Sequence, residues 1–105
     1  MAAHAQDQRI YRAGLMDLVY KIRALPQYVK GYSIVSEGAY QNGCCFRLQR
    51  TLSASSWGED ISLTILPVDA YSCSVQIYSE CSMPTQLVDM GRNKKNVAEL
   101  FAYIG

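Results

Sequence analysis

The stretch YSIVSEGAYQNGCCFRLQRTL, residues 32–52, determines the fold, because it predicts two antiparallel strands joined by a tight turn. Asn42–Gly43 lies between two segments rich in β-forming residues, and this pair tolerates the positive φ of a hairpin turn. The second strand alternates between apolar and polar side chains, so one of its faces should be buried and the other wet. The apolar face comprises Phe46, Leu48 and Leu52, and the polar face comprises Arg47, Gln49 and Thr51.

The register of this hairpin has two solutions. A two-residue loop pairs Ala39 with Phe46, whereas a three-residue loop with Gly43 in a bulge pairs Gly38 with Phe46. The sequence leaves both open.

Two later segments, ISLTILPV and SCSVQIYSEC, alternate in the same way. Their apolar faces are Ile61, Leu63, Ile65, Cys73, Val75 and Ile77. One dry and one wet face is typical of an antiparallel sheet covered on one side. The wet face is either solvated or a docking surface for a protein partner or a second copy, and it comprises Arg47, Gln49, Thr51, Ser62, Thr64, Ser74, Gln76 and Tyr78.

Amphipathic helices flank the strands. Apolar residues at three- and four-residue spacing predict a first helix from Asp7 to Leu25, which Pro26 ends, and a short final helix. The helix stripes are Tyr11, Leu15, Leu18, Val19, Ile22 and Leu25, then Val97, Leu100, Phe101 and Ile104. The short turns predict a single α+β domain over residues 1–105. It should be a two-layer sandwich, ordered helix, four-stranded antiparallel meander, helix, with both helices on one sheet face.

Composition excludes several function classes. The chain has 105 residues and a formal net charge of +1, which argues against general attraction to nucleic acid or to membranes. No run approaches the roughly 20 apolar residues of a membrane span, and the first residues lack the pattern of a signal peptide, so we expect a cytoplasmic protein.

Chemistry-bearing motifs are scarce. The four cysteines include no C-x-x-C pair, and His4 is the only histidine, so we expect no metal site and reduced, structural thiols. No G-x-S-x-G or H-E-x-x-H motif occurs, and no cofactor is implied. The candidate pair for catalysis is Glu59 and Asp89, acting as paired carboxylates. Any two acids at one end of a domain would allow the same interpretation, so we assign no catalytic residue.

In a meander, alternate turns lie at opposite ends of the sheet. Three segments should therefore converge at one end: Pro26–Gly31, Ser53–Glu59 and Cys81–Asn93. Trp57 in this region would either cap the core or recognise a partner. The candidate binding residues at this end are Trp57, Glu59, Asp89, Arg92, Asn93 and Lys94.

The last helix should begin within a cluster of cations, Arg92–Lys95, although helix starts usually favour acids. These cations either bind a phosphate or carboxylate or are simply solvated, with Glu59 and Asp89 offsetting their charge. Asp89 or Asn93 would cap the helix, and Gly91 would allow a bend with positive φ between them.

The segments SSWGED and QLVDMGRNKKN resemble a group of small, mostly bacterial domains of uncharacterised function. In that group a Ser-Trp-Gly-Glu segment precedes two strands, and an Asp-aromatic-Gly-Lys-Asn segment precedes the final helix. Here Ser56–Glu59 matches the first segment, and Asp89–Asn93 matches the second, with Met90 for the aromatic residue and Arg92 for Lys. The resemblance covers about half of the chain, implies that the two loops belong together, and implies no activity or cofactor.

Two functions from different classes follow. The first is a non-enzymatic interaction or regulatory module that works through this loop end or through the polar sheet face. The alternative is a small-molecule binder that recognises an anionic ligand, phosphate or carboxylate, near Trp57 and Arg92–Lys95.

Overall fold

The structure is a computed structural model that describes residues 3–51, 58–82 and 91–105. The elements are β1 (His4–Tyr11), α1 (Leu15–Arg23), α2 (Leu25–Tyr28), β2 (Tyr32–Tyr40), β3 (Gly43–Arg50), β4 (Glu59–Asp69), β5 (Ser72–Cys81) and α3 (Arg92–Ile104). The strands form one antiparallel sheet with strand order β1-β5-β4-β3-β2, so, with the three helices, the predicted α+β class is confirmed.

The core lies between the helices and one face of the sheet, which we call the inner face. Every described residue of the predicted dry face of β3, β4 and β5 is buried there, as are the apolar positions of α3. None of the described helices has the length and apolar character that crossing a membrane requires. The core comprises Leu18, Val19, Ile22, Leu25, Tyr32, Cys44, Phe46, Leu48, Ile61, Leu63, Ile65, Cys73, Val75, Ile77, Val97, Leu100, Phe101 and Ile104.

The predicted first helix is wrong over residues 7–14, because the observed helix begins only at Leu15. Asp7–Tyr11 belongs to β1, an edge strand that pairs with β5, and the helix begins only after Gly14. The strand has little apolar character of its own and is held by its ladder with β5, a long-range contact that no local periodicity reports. Pro26 does not end α1 but occupies the first turn of α2, where its missing N–H costs little.

Neither predicted register of the β2–β3 hairpin is right. Glu37 lies opposite Phe46, and the loop is Gln41–Asn42, with the first loop residue at φ 53°. Gly43 is instead the first residue of β3, where a Cβ atom would lie 1.9 Å from the carbonyl oxygen of Ile65 on β4. The glycine therefore serves the close approach of two strands rather than the turn.

Candidate functional site

A buried polar network lies at the end of the sheet where β3 ends and β4 begins. At its centre, Asn96 of α3 donates from Nδ2 to Oε1 of Glu59 at 2.8 Å and to Oγ of Ser79 at 3.3 Å. Its Oδ1 accepts from Nη1 of Arg50 at 2.7 Å. Asn96 is 1% exposed and Glu59 is 3% exposed, so these hydrogen bonds replace water that the groups have lost.

Asn93, one turn earlier in α3, extends the network to β5 and to the N-terminal segment. Its Oδ1 accepts from Oγ of Ser79 at 2.7 Å, and its Nδ2 donates to the carbonyl oxygen of Ala3 at 2.9 Å. The same amide nitrogen lies 3.4 Å from Sγ of Cys81. The side chain is fully buried, so the first turn of α3 is fastened to the sheet by polar contacts.

Arg50 joins the network to β2 and to the middle of α3. Its Nη1 donates to Oε1 of Glu99 at 2.7 Å and to the hydroxyl of Tyr32 at 3.0 Å. The Tyr32 hydroxyl in turn donates to Oε1 of Glu99 at 2.9 Å, and the guanidinium lies over the Tyr32 ring. The network therefore joins four of the five strands to α3.

Two of the three segments predicted to converge meet in their described residues, because the amide of Ser82 donates to the carbonyl of Gly58 at 3.1 Å. The first segment is joined to the end of β3, where the amide of Thr51 donates to the carbonyl of Gly31 at 2.9 Å. The left-handed bend predicted before the last helix is present, with Gly91 at φ 78°.

The predicted site residues divide into three groups. Glu59 and Asn93 are buried in the network, and Arg92 lies with its Nε 3.9 Å from Oε2 of Glu59, the predicted pairing. Lys94 is exposed and faces a groove. Trp57 and Asp89 lie outside the described residues. A binding role for any of the six stays a prediction.

Sequence reasoning missed Arg50, Ser79 and Asn96, although their spacing contained a signal. Arg50 follows Phe46 and Leu48 at period two, so it points to the inner face. Asn96 precedes Leu100 by four positions and falls on the apolar stripe of α3. A polar residue in phase with a buried stripe indicates a buried polar contact.

Tyr32 gives the network a pH dependence. Burial, and after it the hydrogen bond to Glu99, raises the pKa of Tyr32 above its ordinary value of 10.0. The unfolded chain loses this proton near pH 10 while the folded protein keeps it, so this contribution to stability falls as the pH rises above about 10. We expect alkaline urea titrations to show a steeper loss of stability in wild type than in Tyr32→Phe. Equal slopes would contradict this assignment.

A groove of about 270 Å³ lies between β1 and α3. Its walls combine apolar side chains of both elements with three charged ones at the rim. The guanidinium of Arg9 lies 4.5 Å from the centroid of the Phe101 ring. The lining residues are Ala5, Gln6, Asp7, Arg9, Lys94, Val97, Ala98 and Phe101.

A second, more open groove of about 420 Å³ lies on the outer face, the sheet face opposite the helices. Its side chains hydrogen-bond one another: Nε2 of Gln8 donates to Oγ of Ser74 at 2.9 Å, and Nε2 of Gln76 donates to Oε1 of Gln8 at 3.4 Å. The described lining carries no cation and one carboxylate, so it suits an anion poorly. It comprises Gln6, Asp7, Gln8, Ser62, Thr64, Gln76, Ile77 and Tyr78.

Neither possible metal ligands nor cysteines form a clustered site in the part of the chain that the structure describes. No group of three or more His, Cys, Asp or Glu side chains there is placed to hold a metal ion. The four cysteines are free thiols, and burial raises the pKa of Cys44 and of Cys73, which makes both less nucleophilic.

Comparisons with known proteins identify the fold. No known protein family matches the chain, and no curated protein matches it. It is similar to a norcoclaurine synthase point mutant from Thalictrum flavum in complex with a transition-state analogue, with TM-score 0.60 and 10% identity over 99% of this chain and 92% of that one. It is also similar to a START superfamily protein from Mycobacterium smegmatis, with TM-score 0.51 and 13% identity over 96% and 90%.

These similarities show the fold alone, a five-stranded antiparallel sheet with helices that resembles the START/Bet v1-like fold. The predicted four-stranded meander is therefore corrected to a five-stranded sheet, with β1 as the additional edge strand.

Proposed function

We propose that the domain binds a small anionic molecule in the groove between β1 and α3, with Lys94 holding the anionic group. One observation carries the proposal: this groove combines apolar walls with the cationic side chains of Arg9 and Lys94. Support comes from the fold, because one of the similar solved structures holds a transition-state analogue, which is itself a small molecule.

The start of α3 supplies a favourable field for an anion. Lys94 is the third residue of the helix, the first turn contains no acidic residue, and helix N-termini carry partial positive charge. An exposed ion pair contributes only about 0.2–1 kcal/mol, so a Lys–anion contact alone gives weak binding. The remaining affinity must come from apolar contact with Val97 and Ala5, which line the same groove.

The groove also limits the ligand class. Its volume suits a molecule smaller than most drug-sized ligands. The carboxylate of Asp7 lines the same groove and repels negative charge, which favours a ligand with one anionic group over a ligand with several. We therefore propose a carboxylate or a phosphate ester with a short apolar portion.

Chemical-shift titrations with acetate, benzoate, inorganic phosphate and phenyl phosphate test this function. We expect benzoate and phenyl phosphate to bind more tightly than acetate and inorganic phosphate, with shifts confined to β1 and α3. Lys94→Gln should weaken binding about two- to fivefold.

Lys95→Gln is the matched control, because Lys95 is exposed on the same helical turn but does not line the groove. Its affinity should stay close to that of wild type. Absence of saturable binding, or equal weakening by both variants, would refute the proposed site.

The interaction-module interpretation has less support. The outer face offers a polar groove whose side chains already hydrogen-bond one another, so a partner would have to displace those contacts. Self-association through that face stays a prediction.

A further inference from the structure

We infer that two copies of this chain pair through β1, so that their sheets join edge to edge into one antiparallel sheet. The inference goes beyond the ligand site, because it rests on the open backbone edge of β1 and on the order of charges along it.

Among the described residues, β1 is an edge strand with no further strand beside it. It pairs with β5 in continuous register over all eight of its residues, from His4 opposite Glu80 to Tyr11 opposite Cys73. It contains no bulge, Lys or Pro, three of the devices that prevent a strand from pairing further. Its inward-pointing charges, Asp7 and Arg9, are a further such device unless the added strand presents the opposite charges. The opposite edge, β2, is interrupted by a register shift between Ile34 and Ser36. Of the two edges, β1 is therefore the one suited to accept another strand.

The hydrogen bonds show which backbone groups of β1 face outward. The amide of Cys81 donates to the carbonyl of Ala3 at 3.0 Å, so the odd-numbered residues of β1 turn their backbone groups to β5. The even-numbered residues Gln6, Gln8 and Ile10 then turn theirs to the open edge. In agreement, the amide of Gln8 donates to Oδ1 of its own neighbour Asp7 at 2.8 Å, a contact that pairing with a second strand would replace with a backbone hydrogen bond.

The charges on β1 are self-complementary about Gln8. When Gln8 pairs with the partner's Gln8 in antiparallel orientation, Asp7 of each copy lies opposite Arg9 of the other. This pairing uses the outward backbone groups, and it leaves Asp7 and Arg9 in non-hydrogen-bonded pairs, where facing side chains are closest. Opposite charges at such positions stabilise a sheet. Within the described residues, neither Asp7 nor Arg9 forms an ion pair in its own chain.

Other registers are disfavoured. Centring the pairing on Asp7 or on Arg9 would also use the outward backbone groups, because Gln8 would then pair with Gln6 or with Ile10, but it would set like charges opposite each other. Centring it on Gln6 or Ile10 keeps the outward groups but separates each Asp7 from the opposing Arg9. The pattern Asp7-Gln8-Arg9 thus selects one occupant, a second copy of this chain, and one register.

Charge exchange tests the dimer in ligand-free buffer of low salt. Sedimentation velocity and light scattering across the micromolar to millimolar range should show wild type passing from the mass of one chain to that of two. Asp7→Arg and Arg9→Asp should each raise the dissociation constant at least about tenfold, because both facing pairs become repulsive. The double variant Asp7→Arg/Arg9→Asp should restore the dimer, because it exchanges the two charges.

Gln8→Pro provides an independent test. Proline removes the outward N–H at the centre of the pairing but is tolerated on an edge strand, so the variant should fold and stay monomeric, whereas Gln8→Ala should still dimerise. Circular dichroism verifies folding, and if Gln8→Pro does not fold, the charge exchange decides. A wild type that stays monomeric, a double variant as weak as the single ones, or a dimer unaffected by all these changes would overturn the inference.

Discussion

Replacing Asn96 by leucine should lower the free energy of unfolding by about 3–5 kcal/mol, measured by urea denaturation. Leucine has the same branched side-chain skeleton, with methyl groups in place of the amide oxygen and nitrogen, so the change removes hydrogen bonds without leaving a cavity. The buried carboxylate of Glu59 loses its 2.8 Å donor, and Nη1 of Arg50 loses a 2.7 Å acceptor. The cost is large because one partner is removed while the charged ones stay buried.

Two further variants separate this explanation from a general effect of mutating α3. Lys95→Leu changes the adjacent exposed position, and its stability should stay within about 0.5 kcal/mol of wild type. Adding Glu59→Leu to Asn96→Leu should recover part of the loss, because the carboxylate left without its donor is then absent. A loss below about 1 kcal/mol for Asn96→Leu would mean that the network contributes little.

The buried polar network shows which features of the candidate site can be predicted from the sequence and which cannot. Glu59 and Asn93 are predicted binding residues because the meander places them at the same end of the sheet, and the structure buries both in the network. Their spacing predicts that both point to the core: Glu59 precedes Ile61 by two positions in a strand, and Asn93 precedes Val97 by four in a helix. Their partners were not readable, because the contacts exist only once α3 docks across the sheet.

The errors at β1 and at the hairpin have the same physical origin. The alternation in HAQDQRIY carries charged residues on its inner side, so no local pattern marks it as a strand, and pairing with β5 supplies the order. Asn42–Gly43 is a strong local turn signal, but Gly43 is required for the close approach of β4. Long-range backbone contacts override local preference in both places.

The parts that were predicted correctly are those with strong periodicity. The dry faces of β3, β4 and β5 and the apolar stripe of α3 follow from spacing alone, because burial of one face dictates both. Of the cations at the start of α3, Arg92 lies near Glu59 as predicted, whereas Lys94 faces the groove. That division needed the structure, because it depends on how α3 is rotated against the sheet.

Replacing Phe46 by alanine is the second change with a large expected effect, a loss of about 3–5 kcal/mol in the free energy of unfolding. Phe46 is fully buried on β3 beneath the helices, so its removal leaves an apolar cavity. The control is Val68→Ala, a truncation at a 56% exposed residue, which should change the free energy of unfolding by less than about 0.5 kcal/mol. Apolar cavities of this kind stay dry and admit benzene, so benzene should raise the melting temperature of Phe46→Ala but not of wild type. Such a rescue would mean that the side-chain volume of Phe46 closes the space between the sheet and the helices. A variant as stable as wild type, or one that benzene does not stabilise, would contradict that account.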